Sequence, residues 1–231
     1  RAYIEAIINT EIARIPHGIT ILSLIRNGKR RYSELEDVIG KDASGVLNKE
    51  LRKLVELDAV SRVVPINRNE KRRTFYEISD PLLRFYFTYI YPNPAILMSN
   101  PEVFFDSFIA RSIPDFIARR FEAACREYFA RLVRKGIRTD ILDIGSYWYD
   151  DRERKANGEF DVALKTDSGY EVYDAKFVRK PFPEDEAEGE MRQVGRITDI
   201  SVRKMGIISA SGFEKASDAY AQISADDMFS I

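Results

Sequence analysis

The sequence predicts an α+β chain in two units: a winged helix-turn-helix over residues 1–95, then an α/β domain over residues 96–231. Three observations carry this. Between Ile19 and Leu57 the apolar residues recur at helical spacing, and from Val60 they switch to strand-like alternation. Pro92, Pro94 and Pro101 then mark a passage between units. Beyond it, one long helical run is followed by three alternating stretches, an acid-rich helix and a further strand.

In the first unit, Ile19–Ile25 reads as a short apolar helix ending near Gly28, and Tyr32–Ile39 as a second helix stopped by Gly40. Asp42 is the expected N-cap of a third, whose apolar positions are Val46, Leu47, Leu51, Leu54, Val55 and Leu57. Val60–Ile66 and Thr74–Ile78 form the two strands of a wing around the polar tip 67–73. A nucleic-acid reading turns Ser44, Asn48, Lys49, Arg52 and Lys53 of the third helix towards a DNA major groove, with Arg68, Lys71, Arg72 and Arg73 of the tip along phosphates. The alternative is a protein-interaction module with a solvated basic tip, and Glu50 and Glu56 interrupt the basic face. Ser79-Asp80-Pro81 caps a helix over Leu82–Tyr91 whose aromatic stripe reads as core or domain interface.

In the second unit, Pro114–Val133 is a helix, Ile141–Tyr149 a strand, and Asp150–Gly158 a charged loop. Gly158–Lys176 then reads as a β-hairpin turning at Thr166-Asp167-Ser168-Gly169. Its first strand carries Asp161, and its second carries Asp174 and Lys176, which the two-residue strand period puts on one face. With Asp161 in matching register, two carboxylates and an ammonium converge, a set suited to a hard divalent cation such as Mg²⁺ or Mn²⁺. Solvent-facing charges on a half-exposed hairpin are the other reading. Acids in the first turn of the helix opened by Glu184–Glu190 suit the helix dipole, which accounts for that cluster. Gln193 lies further along it, Met205–Ala210 is a strand, and Phe213–Gln222 reads as the last helix.

Composition bounds the function. The chain has 231 residues, 45% hydrophobic and 32% charged, and no apolar run long enough to span a membrane. No leader pattern is visible, and one cysteine, Cys125, permits no internal disulfide, so a cytoplasmic protein is expected. One histidine, His17, excludes a histidine-rich metal site. Net charge is −1, but residues 1–100 hold 16 Lys+Arg against 12 Asp+Glu and residues 101–231 hold 20 against 25, or +4 and −5. The chain opens on Arg1 and is helix-like from Tyr3, which reads as a piece of a longer protein.

Asp161 followed by Asp174-Ala175-Lys176 resembles the PD-(D/E)xK nuclease core, a restriction-endonuclease-like fold, with Glu122 on the opening helix at the position where that family often adds a glutamate. The resemblance implies a nuclease whose catalytic set is Glu122, Asp161, Asp174 and Lys176, with Asp161 and Asp174 as metal ligands, and Gln193 where the family often has a polar accessory residue. More widely, Tyr76-Glu77-Ile78-Ser79-Asp80-Pro81-Leu82-Leu83-Arg84-Phe85, the Tyr91-Pro92-Asn93 turn and Ile144-Gly145-Ser146-Tyr147-Trp148 resemble the C-terminal part of a family of archaeal and bacterial ATPases. That resemblance implies an AAA-type ATPase domain N-terminal to this region. No G-x-x-x-x-G-K-[ST] occurs here, so no nucleotide is expected to bind this chain. Two functions stay open: a metal-dependent phosphodiesterase acting on DNA, or a non-catalytic regulatory module coupled to the ATPase.

Overall fold

The computed structural model describes residues 2–40, 44–66, 74–151, 156–195, 197 and 199–230; within them the side chains of Ala2, Tyr3, Ser44, Arg119, Asp150, Asp151, Ala156 and Gln193 are left aside. It is a mixed α+β protein in two compact units, one comprising Arg1–Val64 with Glu70–Ser112, the other Pro65–Asn69 with Ile113–Ile231. The division falls after Ser112, later than the residue-95 boundary expected from the prolines. No helix among the described residues is long and apolar enough to cross a membrane.

The first unit begins with α1 (Ala2–Thr10), α2 (Gly18–Arg26), α3 (Tyr32–Ile39) and α4 (Ser44–Glu56). β1 (Val60–Val63) and β2 (Phe75–Ile78) then pair antiparallel, from Val60↔Ile78 to Val63↔Phe75. Tyr76 N–H also donates to Arg30 O at 2.8 Å, tying the segment before α3 to the hairpin. Leu22, Leu35, Leu47 and Leu54 are fully buried in one core with Ile4, Ile8 and Phe87. On α4 the inward stripe is Leu47, Leu51 and Leu54; Val46, Val55 and Leu57, expected on the same face, are exposed, because residues one position away on a helix point about 100° apart. β1 ends earlier than the expected Ile66, since Ile66 N–H donates to Ser146 O at 2.8 Å instead of continuing the hairpin.

Asp80 caps α5 (Pro81–Phe85), its carboxylate accepting from Leu83 N at 2.7 Å, with proline at the first helical position. The helix widens into a π-helical turn over Tyr86–Ile90, where Phe87 and Tyr89 are buried. Phe87 joins the core of the first unit. α6 (Pro94–Ser99) and α7 (Pro101–Phe104) follow, α7 running into a second π turn over Phe105–Ile109.

The second unit is a five-stranded sheet between helices. α8 (Ile113–Arg134) precedes β3 (Ile141–Asp151), β4 (Ala156–Thr166) and β5 (Gly169–Lys176); α9 (Glu184–Val194), β6 (Val202–Ser209), β7 (Ala221–Ser224) and α10 (Ala225–Phe229) complete it. Strand order is β3-β4-β5-β6-β7, antiparallel among the first three and parallel from β5 onward. Strand alternation separates the faces: Ile208 joins the cluster of Phe121, Cys125 and Phe129 from α8, whereas its neighbour Ile207 joins that of Ala187 from α9.

Two expectations change here. Where a charged loop was expected over residues 150–158, the described residues are strand, β3 reaching Asp151 and β4 starting at Ala156. Gly158 permits this, since a Cβ there would meet the Tyr149 ring at 2.3–2.6 Å. The helix expected over Phe213–Gln222 is an irregular segment entering β7. Phe213 and Tyr220 are held apart from helical spacing by packing into one aromatic group with Phe182.

Candidate functional site

The hairpin of β4 and β5 turns on Gly169, whose φ of 141° is closed to residues with a side chain. Its register runs from Thr166↔Gly169 to Val162↔Tyr173 and ends there, one step short of Asp161 and Asp174. Beyond that point β4 stays with β3 and β5 continues beside β6, pairing Asp174↔Ile207 and Lys176↔Ser209. The sheet therefore forks. A β-bulge sits at the fork: Gly145 pairs Ala163 and Tyr147 pairs Phe160, so Asp161 and Val162 together stand opposite Ser146. Such a bulge bends its strand and re-aims a side chain. Here the Asp161 carboxylate takes over from the ladder, Oδ2 accepting from Ala175 N at 2.8 Å.

Asp174 and Lys176 reach the same place by strand period. Lys176 Nζ lies 3.2 Å from Asp174 Oδ2 and 2.6 Å from Glu190 Oε1, the latter on α9. Asp174 also hydrogen-bonds Glu190. From α8, Arg126 Nη1 donates to Asp161 O at 2.6 Å, fixing the bulge from its other side.

The electrostatics follow from burial. Asp174 is 7% exposed, and burial with the Glu190 carboxylate beside it pushes its carboxyl up to about 8, against the pull of Lys176. Burial also raises Asp161, opposed by the Ala175 N–H and the charges of Lys176 and Arg126. Burial works against the charge on Glu190, but Asp174 and Lys176 hold it below the usual carboxylate range. Burial likewise pulls on Lys176, and Asp174 and Glu190 more than offset it, keeping the ammonium charged. Asp174 and Glu190 thus share one proton that resides on Asp174, and Lys176 balances the remaining charge.

Glu122, expected in this set, is half-buried on α8 one turn before Arg126; with Asp161 it bears on the Cys125 thiol, which burial pushes up to about 12. That thiol is an inert core group, not a nucleophile. The acid that meets Asp174 and Lys176 directly is Glu190, which in the sequence is indistinguishable from the dipole-complementing acids of the helix start. The signal that could find it is its spacing: Ala187, fully buried, and Met191 pack on the sheet, and Glu190 lies on the same helical face. The side chain of Gln193 lies outside the described residues. Among those residues, no three His, Cys, Asp or Glu side chains gather to hold a metal ion.

In the first unit, Asn48, Lys49, Arg52 and Lys53 are all exposed on one side of α4, and Arg52 faces Glu56 at 3.5 Å in a surface pair. Glu50 does not interrupt them: it is 3% exposed on the core side, its Oε2 3.0 Å from Nδ1 of His17. His17, given no role by the sequence, is therefore the partner of a buried acid. Arg68, Lys71, Arg72, Arg73 and the expected cap Asp42 lie outside the described residues, as does the Ser44 side chain.

Comparison with known proteins gives little beyond this geometry. No solved structure matches the chain. An uncharacterised protein of Methanocaldococcus jannaschii is 29% identical over 136 residues, a stretch that takes in 58% of this chain and 30% of the relative, so the chain spans only part of that protein's length. Residues 86–187 are similar to the DUF234 family, described as archaeal and bacterial proteins of unknown function; the matched stretch contains Asp161, Asp174 and Lys176 and stops short of Glu190.

Proposed function

We propose that the chain is a DNA-associated, nuclease-like protein whose second unit is a restriction-endonuclease-like domain of the PD-(D/E)xK kind, cleaving phosphodiesters with Mg²⁺ or Mn²⁺. The observation that carries the reading is the fork in the sheet, where the bulged Asp161 stands beside Asp174 and Lys176. Strands that part here leave the Asp161 carboxylate accepting from Ala175 N–H, with Asp174 and Lys176 at the adjoining positions of β5.

The donor set fits such an ion. Mg²⁺ is commonly held by one or two protein carboxylates and completed by water and substrate phosphate, so Asp161 and Asp174 suffice, whereas an ion needing four protein ligands does not fit. When bound, the ion would supply Lewis acidity at the phosphorus and ease deprotonation of water. Lys176 would orient the attacking water or stabilise charge on the phosphate. Asp161 would be held in place by Ala175 N–H and, through its own carbonyl, by Arg126. Glu122 would act from α8.

The first unit, with α2, α3 and α4 before a two-stranded hairpin, is read as a winged helix-turn-helix. Asn48, Lys49, Arg52 and Lys53 would meet DNA, joined by Arg68, Lys71, Arg72 and Arg73 of the tip. An AAA-type ATPase domain preceding this region is the partner proposed from the sequence resemblance. The test is cleavage of linear and supercoiled DNA with Mn²⁺ or Mg²⁺ by the wild type and by Asp174→Asn. Metal-dependent cleavage lost in the variant supports the reading; none in the wild type refutes it.

One observation favours the second reading, a nuclease-like scaffold without catalysis. Lys176 is closed into ion pairs with both Asp174 and Glu190, a set that balances its own charge. In that case Mn²⁺ leaves the unfolding temperature unmoved.

A further inference from the structure

We propose that the loop leaving β5, Phe177–Phe182, binds single-stranded DNA, Phe177 stacking on an unpaired base and Arg179 and Lys180 meeting phosphates; this rests on the nuclease-like reading of the site. The loop starts where β5 ends, at Lys176. Consecutive strand residues point to opposite faces, and here they divide. Lys176 reaches Glu190 of α9, and Phe177 packs on Phe121 of α8, the ring centroids 5.7 Å apart and the planes at 53°. Phe121 is nearly enclosed, but Phe177 stays 40% exposed, so part of its ring is seated and the rest is open to solvent. An exposed phenylalanine by itself is ordinary. Its neighbours are what give it a partner.

Arg179 and Lys180 are exposed next to it, and among the described residues neither side chain meets a carboxylate. Acids are not lacking nearby. Glu184, Asp185 and Glu186 open α9 directly after the loop, and Lys215 takes Glu184 at 2.8 Å. Two cations left open beside so many carboxylates, in a half of the chain with more acids than bases, are available to an anion from outside. The loop is also pinned. Ala210 N–H donates to Lys176 O at 3.0 Å, and Ser211 Oγ to Val178 O at 2.6 Å. At its far end the buried Phe182 donates to Gly212 O at 2.8 Å and accepts from Glu214 N at 3.1 Å. A loop held at both ends has less freedom to lose on binding. Base faces open to an aromatic ring belong to single strands, since in a duplex they stack on one another. A ring beside unpaired cations therefore fits the unpaired strand.

Two measurements on the full chain, both in chelator, test this. Fluorescence anisotropy follows a labelled thymidine single strand of about 20 nucleotides and a duplex of equal length. Phe177→Leu keeps an apolar side chain against Phe121 and removes the stacking face. It should weaken single-strand binding about tenfold and duplex binding less than about twofold, with Phe177→Tyr close to wild type. Arg179→Ala with Lys180→Ala should flatten the salt dependence of single-strand binding by a slope of about 1.4, for two phosphates no longer neutralised. The second measurement is photo-cross-linking of the same strand carrying 5-iodouracil, with an adduct expected on Phe177 by mass spectrometry. Several results would overturn the inference: no single-strand binding by the wild type, unchanged affinity in Phe177→Leu, equal weakening towards duplex, an unaltered salt slope in the double variant, or adducts confined to the first unit. Cleavage with Mn²⁺ is scored separately. Its absence in a wild type whose single-strand binding depends on Phe177 would remove the nuclease reading and leave the loop's role standing.

Discussion

Among the described residues each unit buries one acid, and the two acids are kept differently. Glu50 in the first unit is enclosed by a leucine-lined core and meets one histidine, with both carboxylate oxygens within 3.2 Å of the same ring nitrogen. Asp174 in the second unit is nearly as buried but meets a lysine, a second acid and, through space, a third. The first arrangement is closed: one donor, one acceptor, and the exposed charges of α4 kept on the far side. The second is crowded, with more acids than its lysine can neutralise. Folding alone gives no reason to gather carboxylates that repel, so the crowded site is where chemistry is to be sought. The first unit instead presents its polar groups outward.

Substitutions should break this comparison unequally. Asp174→Asn keeps shape and removes a metal ligand, so metal-dependent DNA cleavage should fall about a thousandfold with the circular dichroism spectrum unchanged. A variant as active as wild type would mean the crowded site is not catalytic. Next in size, Glu50→Ala should destabilise the protein by about 1–3 kcal/mol in urea unfolding, because it empties a buried site and strips His17 of its partner. Cleavage should survive that change under conditions where the chain stays folded.

Titration sharpens the contrast further. The folded-state carboxyl of Asp174 lies above its unfolded value, so the folded protein keeps a proton that the unfolded chain releases. Stability of the metal-free protein should therefore fall as pH rises from about 4 towards about 8 and level off beyond. Glu190 is shifted the other way and offsets part of this, so the net loss should be smaller than Asp174 alone would give. Denaturant midpoints at pH 5 and pH 8.5 in chelator measure it, and Asp174→Asn should flatten the profile; an equal slope in that variant would mean that the proton is elsewhere.

The smallest effect on stability belongs to α4. Replacing Lys49, Arg52 and Lys53 with alanine should leave the unfolding midpoint within about 0.5 kcal/mol while lowering duplex affinity and flattening its salt dependence, by a slope of roughly 0.9 for each phosphate no longer neutralised. The same measurement on Lys71, Arg72 and Arg73 asks whether the tip adds to it. Unchanged binding in both triple variants would leave the first unit as a protein-interaction module.

Much of the second unit was legible because strand period is strict. Asp174 and Lys176 could be put on one face from spacing alone, and the turn at Gly169 brought Asp161 close. The bulge was not legible: it is a mismatch between β3 and β4, and the residue that reveals it, Ser146, looks ordinary in its own strand. Glu190 was hidden for another reason. An acid near a helix start has a sufficient local explanation, and only the burial of Ala187 shows which side of α9 faces inward. In the first unit the helices followed from leucine spacing, yet the His17–Glu50 pair joins residues 33 positions apart, a distance no local pattern spans. The segment from Phe213 to Tyr220 misled because aromatic spacing can be satisfied by a loop packed on Phe182 as well as by a helix.

The bulge at Asp161 and Val162 has a consequence for how this chain tolerates change over generations. Because two residues of β4 answer to one of β3, Phe160 and Ala163, three positions apart, lie in one cluster with Tyr147, where a regular strand would put them on opposite faces. A substitution at Asp161 removes a single carboxylate. A one-codon deletion there would remove the carboxylate and the bulge together, leaving Val162 alone opposite Ser146 and Phe160 still paired with Tyr147. The strand can thus lose the residue without turning its enclosed face, so relatives that have given up the site should include some that are one residue shorter here.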